Sequence, residues 1–243
     1  MDSLARAVRF HLLMEVEFCD LPNAASQGFS AYQNRTMLCN ALISALARAE
    51  AESLGEPLHA ELLAYLLLLH ADEPQTVLPE LAAAPLGVLR SAAVKRALAL
   101  VAALARQDAA GFGRALRRCA LLEVGCVLRL LPGVRAAMLQ QCNSAYSAQG
   151  AVPLPAMRRR LWLRTDADAA RCAAAHGLEV AGEGPDGLVR FRSASFALVP
   201  KAPLEPPLGP PDLPAVGRSV SRSLVCADSS NVPKYPYPQP SLL

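Results

Sequence analysis

The sequence has 243 residues, with 53% hydrophobic but only 5% aromatic residues and a net charge of +3. This length is enough for one large domain or two small ones with a sizeable core, and a composition rich in Leu, Ala and Val favours helices. A net charge this small does not by itself indicate a nucleic-acid partner, although residues 1–110 carry −4 and residues 111–200 carry +6.

The N-terminus does not have the pattern of an export signal, because Arg6, Arg9, Glu15 and Glu17 interrupt the first apolar stretch. The 7 Cys residues form no C-x-x-C pair. Scattered cysteines in a chain without a signal are typical of reduced, buried thiols. We therefore expect a cytosolic or nuclear protein.

The first predicted helix covers residues 3–19, SLARAVRFHLLMEVEFC, because Leu4, Val8 and Leu12 recur one helical turn apart. A stretch containing Pro and Gly breaks the pattern, and a second helix is predicted over residues 34–53.

The third predicted helix contains the sequence AELLAYLLLLHADEP, residues 60–74, and begins at Glu56-Pro57. Its uncharged run covers only residues 62–71, whereas a membrane span needs about 20 apolar residues. A helix that is apolar on all sides is covered by other protein. The pattern therefore predicts an inner helix of a multi-helix assembly and no membrane span.

Residues 72–89 contain three prolines and are predicted to form a connector with one short helix. Three further helices are predicted, over residues 90–107, 112–131 and 134–147. Pro132-Gly133 separates the last two. Successive amphipathic helices, with no strand pattern before residue 178, predict an irregular, TPR-like solenoid of helical hairpins over residues 1–150.

The pattern changes after residue 150. A short helix is predicted over residues 152–164, and Thr165 is placed to cap a second one over residues 166–176. Two β-like runs then flank a turn within residues 178–199. This order predicts a winged helix over residues 151–199.

Eleven of the 20 prolines lie between Pro200 and the C-terminus. Residues 200–243 are therefore predicted to be a disordered tail.

Seven segments in chain order resemble the SAC-three/GANP family of PCI-domain proteins. They are RAVRFHLLMEVEFCD, FSAYQNRTMLCNALISAL, AELLAYLLLLHAD, VKRALALVAALARQDAAGFGRAL, VRAAMLQQCNSAY, VPLPAMRRRLWL and DADAARCAAAHGLEV. The resemblance covers residues 4–199 and is greatest to the short animal branch of the family. It implies a PCI-type fold, a helical solenoid capped by a winged helix, in a non-enzymatic scaffold.

The resemblance also implies a cellular role and partners. The short branch indicates centrosome duplication, spindle organisation and mitotic progression; the alternative is a nuclear TREX-type mRNA-export scaffold. The expected partners are another PCI subunit, bound through the winged helix, and a small acidic DSS-type peptide. Family members have further helices before this point, so we expect the apolar stripe of Leu4, Val8 and Leu12 to be exposed at an open solenoid end.

The sequence contains no motif that indicates an active site. No G-x-S-x-G motif or Gly-rich phosphate loop occurs, and the four His residues are far apart. Cys172 and His176 share a helical face, but a zinc site needs more ligands and no second pair has suitable spacing. We therefore predict no enzyme, no metal, no cofactor and no small-molecule substrate.

Arginines in the predicted winged helix are the candidate contacts for nucleic acid or an acidic partner: Arg158, Arg159, Arg160, Arg164, Arg190 and Arg192. Helix-turn-helix proteins read bases with the N-terminal residues of the recognition helix, and these are Asp166 and Asp168 here. Carboxylates repel phosphate, so only contact that is independent of sequence remains as a third hypothesis. Two simpler interpretations are that the arginines solvate one face or pair with an acidic partner subunit. Trp162 is predicted to be a core residue.

Overall fold

The computed structural model describes residues 3–18, 29–51, 55–147 and 150–200. These residues are mainly helical with one small sheet, which confirms the predicted fold class of a helical solenoid followed by a region containing strands. Residues 201–243 of the predicted tail lie outside the described residues. The helices are α1 (Ser3–Phe18), α2 (Ala31–Ala51), α3 (Glu56–Leu69), α4 (Leu78–Ala83), α5 (Leu86–Arg90), α6 (Ala92–Ala105), α7 (Ala109–Leu116), α8 (Leu121–Val127), α9 (Leu131–Ala145), α10 (Leu154–Leu161) and α11 (Asp166–Ala175).

The apolar stripe of α1 is not exposed. Val8 and Leu12 are fully buried and Leu4 is partly buried, because α2 and α8 pack on this helix. Gly125 of α8 makes the approach close: a Cβ atom there would lie 3.1 Å from the carbonyl oxygen of Leu12 and 3.2 Å from Val16 Cγ2. The prediction of an exposed apolar end at Leu4, Val8 and Leu12 is therefore wrong.

Helix α3 is the inner helix of the solenoid, as predicted. Its residues from Leu62 to Leu69 are all buried, and helices α2, α6 and α8 pack around it. Pro57 lies in its first turn, where a missing N–H costs nothing. Within the described ranges, no helix is both long enough and apolar enough to cross a bilayer.

The single helix predicted over residues 112–131 is wrong, because α7 ends at Leu116 and a new helix, α8, begins at Leu121. The buried carboxylate of Glu123 causes this restart. It accepts a hydrogen bond from the backbone N–H of Ala120 at 2.7 Å. It also accepts two hydrogen bonds from the Arg96 guanidinium, from Nη2 at 2.6 Å and from Nε at 3.1 Å. Pro132 and Gly133, predicted to be a break, lie in the first turn of α9.

The C-terminal module consists of α10, α11 and a three-stranded antiparallel sheet in the order β1 (Ala151–Pro153), β3 (Leu188–Arg190), β2 (Glu179–Ala181). Sequence patterns miss β1, because three residues are too few to show a period of two. Val189 and Phe191 are buried and Arg190 and Arg192 are exposed, so the predicted alternation is confirmed.

Two clusters of buried side chains lie along the described chain. The larger one belongs to the solenoid helices, and the smaller one joins the C-terminal module to Leu139 of α9. The division at residue 150 into a solenoid and a winged helix stays a prediction, since α9 contributes to both clusters.

Candidate partner-binding surface

Trp162 connects the C-terminal module to the solenoid. It follows α10 in a left-handed conformation, with φ of 53°, and its side chain is only 3% exposed. The indole packs with Phe112 at a ring-centroid distance of 5.7 Å and belongs to the solenoid cluster. It lies so close to Gly113 that a Cβ atom there would be 2.6 Å from Trp162 Cζ2. The prediction that Trp162 is a core residue is confirmed.

Arg135 of α9 holds the end of α10 from inside the protein. Its side chain is buried, and Nε donates to the carbonyl oxygen of Leu161 at 2.9 Å while Nη2 donates to that of Trp162 at 3.4 Å. The last carbonyls of a helix have no partner within the helix, and a cation there also suits the helix dipole. Arg135 therefore positions α10, with its arginines, against α9.

Two of the six candidate arginines pair with carboxylates inside the module. Arg158 Nε lies 3.4 Å from Asp166 Oδ1, which links α10 to α11. Arg190 Nη1 donates to Glu179 Oε1 at 3.3 Å across the β2–β3 pair. Arg164 lies in the exposed turn beyond the end of α10 and not on the helix where the sequence pattern placed it.

Two other candidates meet at Tyr146, directly after α9. Arg160 Nη1 donates to the Tyr146 hydroxyl at 2.6 Å, and its guanidinium lies 5.8 Å from the centre of the ring. Arg192 Nε donates to the Tyr146 carbonyl oxygen at 2.8 Å. The structure therefore brings Arg160 and Arg192 onto the same residue, although they are far apart in sequence.

Arg159 and Arg160 line a concave surface of about 520 Å³ between α7, α9 and the end of α10, which we call the junction groove. Arg114 and Arg117 line its opposite side, with Tyr146 and Trp162 among the other lining residues. No carboxylate occurs among the described residues that line this groove. Four guanidinium groups around one concavity make it suited to an anionic partner.

Sequence reasoning missed Arg114 and Arg117. Their spacing of three residues places both on one face of a helix, and this signal is visible in the segment GFGRALRR. It does not reveal that this face meets α10, because that contact depends on the packing of Trp162 against α7.

The N-terminus of α11 is closed to phosphate by its own side chains. Thr165 Oγ1 accepts the N–H of Asp168 at 3.0 Å, and Asp168 Oδ1 accepts Arg171 Nη2 at 2.6 Å. Partial burial opposes ionisation of Asp168, but the hydrogen bonds from Arg171 and Thr165 leave its pKa below the usual value. A carboxylate fixed at this position is unsuited to reading bases.

Cysteine and histidine side chains near α11 form structural contacts. Burial raises the pKa of the Cys172 thiol to about 11. His176 is buried, with Nδ1 2.8 Å from the carbonyl oxygen of Ala197. Among the residues that the structure describes, no group of three or more His, Cys, Asp or Glu side chains is arranged to hold a metal ion.

Comparison with known proteins shows that the chain matches the model of one protein family. The model described as the SAC3/GANP family matches residues 1–182, three quarters of the sequence. The match covers all the helices of the solenoid and the module as far as β2. A search of curated proteins found no match.

Proposed function

Because the chain belongs to the SAC3/GANP family, we propose that it is a scaffold subunit of a nuclear complex that acts in mRNA export. The family is one of non-enzymatic scaffold proteins, and its match over residues 1–182 is the observation on which this proposal depends. The fold supports the proposal, since a helical solenoid presents extended surfaces for protein partners.

The junction groove is the surface through which we expect this scaffold to hold a partner. It lies where the C-terminal module meets the solenoid. Four arginines line it, and no carboxylate occurs among the described residues of its lining; the arginines are Arg114, Arg117, Arg159 and Arg160. A partner subunit that inserts acidic side chains there would form charge-assisted, bidentate hydrogen bonds with the guanidinium groups. The acidic DSS-type peptide that the resemblance implies has the charge that this requires.

Centrosome and spindle functions stay predictions from the resemblance to the short branch. The family match does not show them, and it supports the nucleus as the place of action. Non-specific RNA or DNA contact is also a prediction. The acidic N-terminus of α11, with Asp166 and Asp168, argues against base reading at that helix.

The proposal is tested by affinity purification of the tagged full-length chain from nuclear extract, with mass spectrometry at low and moderate salt. We expect a PCI-type subunit and export factors to be recovered. The double variant Arg159→Glu, Arg160→Glu should lose them, whereas Arg6→Glu, Arg90→Glu, which makes the same charge change on exposed residues of α1 and α5, should retain them. Recovery of centrosomal and spindle proteins without export factors would contradict the proposal.

A further inference from the structure

A second basic concavity lies on the solenoid, between α6 and α7, and has a volume of about 430 Å³. We call it the α6–α7 basin. Its floor consists of small residues, including Ala99, Ala102, Gly111 and Ala115. Its rim carries five cationic side chains: Lys95, Arg96, Arg106, Arg114 and Arg118.

Three of these five cations have no carboxylate partner in the described part of the chain. Asp108 is the one carboxylate among the described residues that line the basin, and its Oδ2 lies 3.6 Å from Arg114 Nη2 in an exposed pair. Arg96 is held by the buried Glu123, at 2.6 Å. Lys95, Arg106 and Arg118 form no ion pair with any residue in the described part of the chain.

The arrangement differs from that of a solvated charged helix face, because the cations surround a depression. Alanine and glycine provide no atoms beyond Cβ, so the floor lets a ligand settle between the long rim side chains. Arg96 is fixed in place by its bidentate bond to Glu123, while Arg106 and Arg118 are exposed and can close over a ligand. The N-terminus of α7 takes no part, because Asp108 Oδ1 already accepts the N–H of Gly111 at 2.7 Å.

We propose that the α6–α7 basin binds a compact polyphosphate, a small molecule that carries several phosphate groups close together. Its volume falls within the range of small-molecule sites, about 300–1,000 Å³. Arginine binds phosphate in a bidentate manner, and the three cations without a carboxylate partner, Lys95, Arg106 and Arg118, leave a net positive charge around one depression that matches a dense cluster of negative charge.

The lining argues against an extended nucleic acid as the ligand. Single-stranded nucleic acid is held by aromatic side chains on which bases stack, as well as by cations. The basin has no aromatic residue among the described residues that line it. An acidic peptide carries one charge per residue and would leave much of the rim unpaired.

The test is isothermal titration calorimetry of the full-length chain with inositol hexakisphosphate as the probe, at about 0.15 M KCl. We expect one bound molecule per chain, with a Kd of about 1 µM. The variant Arg106→Gln, Arg118→Gln should weaken binding about tenfold or more, because it removes the two rim cations that are free to close. The control Arg6→Gln, Arg90→Gln loses the same charge elsewhere and should bind within about twofold of the wild type.

Three outcomes would overturn the proposal. These are no measurable binding of inositol hexakisphosphate, equal weakening by the control variant, or tighter binding of a single-stranded RNA of about 12 nucleotides that the Arg106→Gln, Arg118→Gln variant also weakens. The last would assign the basin to a nucleic-acid backbone. Circular dichroism and the melting temperature of each variant confirm that it is folded. The proposed scaffold function does not depend on this site, so failure here leaves the expected co-purification unchanged.

Discussion

Replacing Gly113 by alanine tests whether Trp162 locks the C-terminal module onto the solenoid. The new methyl group would lie 2.6 Å from Trp162 Cζ2 and 3.0 Å from both Cε2 and Nε1. The indole has little freedom to retreat, because it is 3% exposed and packs on Phe112. Arg135 also fixes the main chain on either side, through the carbonyl oxygens of Leu161 and Trp162.

Two opposing effects set the magnitude of this change. Alanine is better than glycine inside a helix by about 1 kcal/mol. Inserting a methyl group into a packed core costs about 1–3 kcal/mol. Because the contact at Gly113 is severe and the ring is held, we expect the steric cost to exceed the gain, with a net loss of about 1–2 kcal/mol. For a protein of this size that loss lowers Tm by about 2–8 °C.

Urea denaturation and a thermal melt of the full-length chain measure the effect. The matched control is Gly133→Ala in α9, because a Cβ atom at Gly133 meets nothing within 4 Å. We expect that variant to be as stable as the wild type or more stable by up to about 1 kcal/mol. If Gly113→Ala behaves like Gly133→Ala, the described packing of Trp162 against α7 is incorrect.

Three other predictions concern single sites. Because hydrogen bonds hold the pKa of Asp168 below its unfolded value of about 3.9, its stabilisation is complete at neutral pH and is lost as the pH falls through the folded pKa. Asp168→Asn should therefore cost about 1 kcal/mol in urea denaturation at pH 7 and progressively less as the pH falls below the unfolded pKa, and a constant difference would contradict this. Burial raises the pKa of Cys119 to about 12. Iodoacetamide at about pH 8 should therefore label Cys119 far more slowly than the partly exposed Cys39, as measured by mass spectrometry. Equal rates would show that Cys119 is accessible. Gln107 lies two residues after α6 in the left-handed region, with φ of 55°, so Gln107→Gly should stabilise the chain by about 0.5–1 kcal/mol in a thermal melt. A lower Tm would show that the Gln107 side chain contributes more than its backbone strain costs.

Sequence patterns predict local features of this fold well. The unbroken apolar run of α3 identifies the inner helix, since burial on all sides leaves no polar face. Thr165 caps α11 as expected, because a cap depends only on residues three apart; its partner in the capping box is Asp168. The alternation at Val189 and Arg190 likewise reports which side of one strand is buried.

Features that depend on distant partners were not predictable. The stripe of Leu12 is covered by α8, more than 100 residues along the chain, and nothing near α1 indicates this. The helix break before α8 depends on Glu123, whose buried carboxylate is stabilised by Arg96 of α6. The junction groove depends on such a distant contact too: Arg117 and Arg159 line one concavity because Trp162 packs against α7.

The most direct test of the proposed scaffold function is the distribution of polyadenylated RNA after rapid depletion of the protein. It is measured by in situ hybridisation before the first cell division, with centrosomes counted in the same cells. The account predicts that polyadenylated RNA accumulates in the nucleus while centrosome number is normal, and that the wild-type chain, but not the Arg159→Glu, Arg160→Glu variant, restores export. A normal RNA distribution together with abnormal centrosomes or spindles would contradict it and favour a function in cell division.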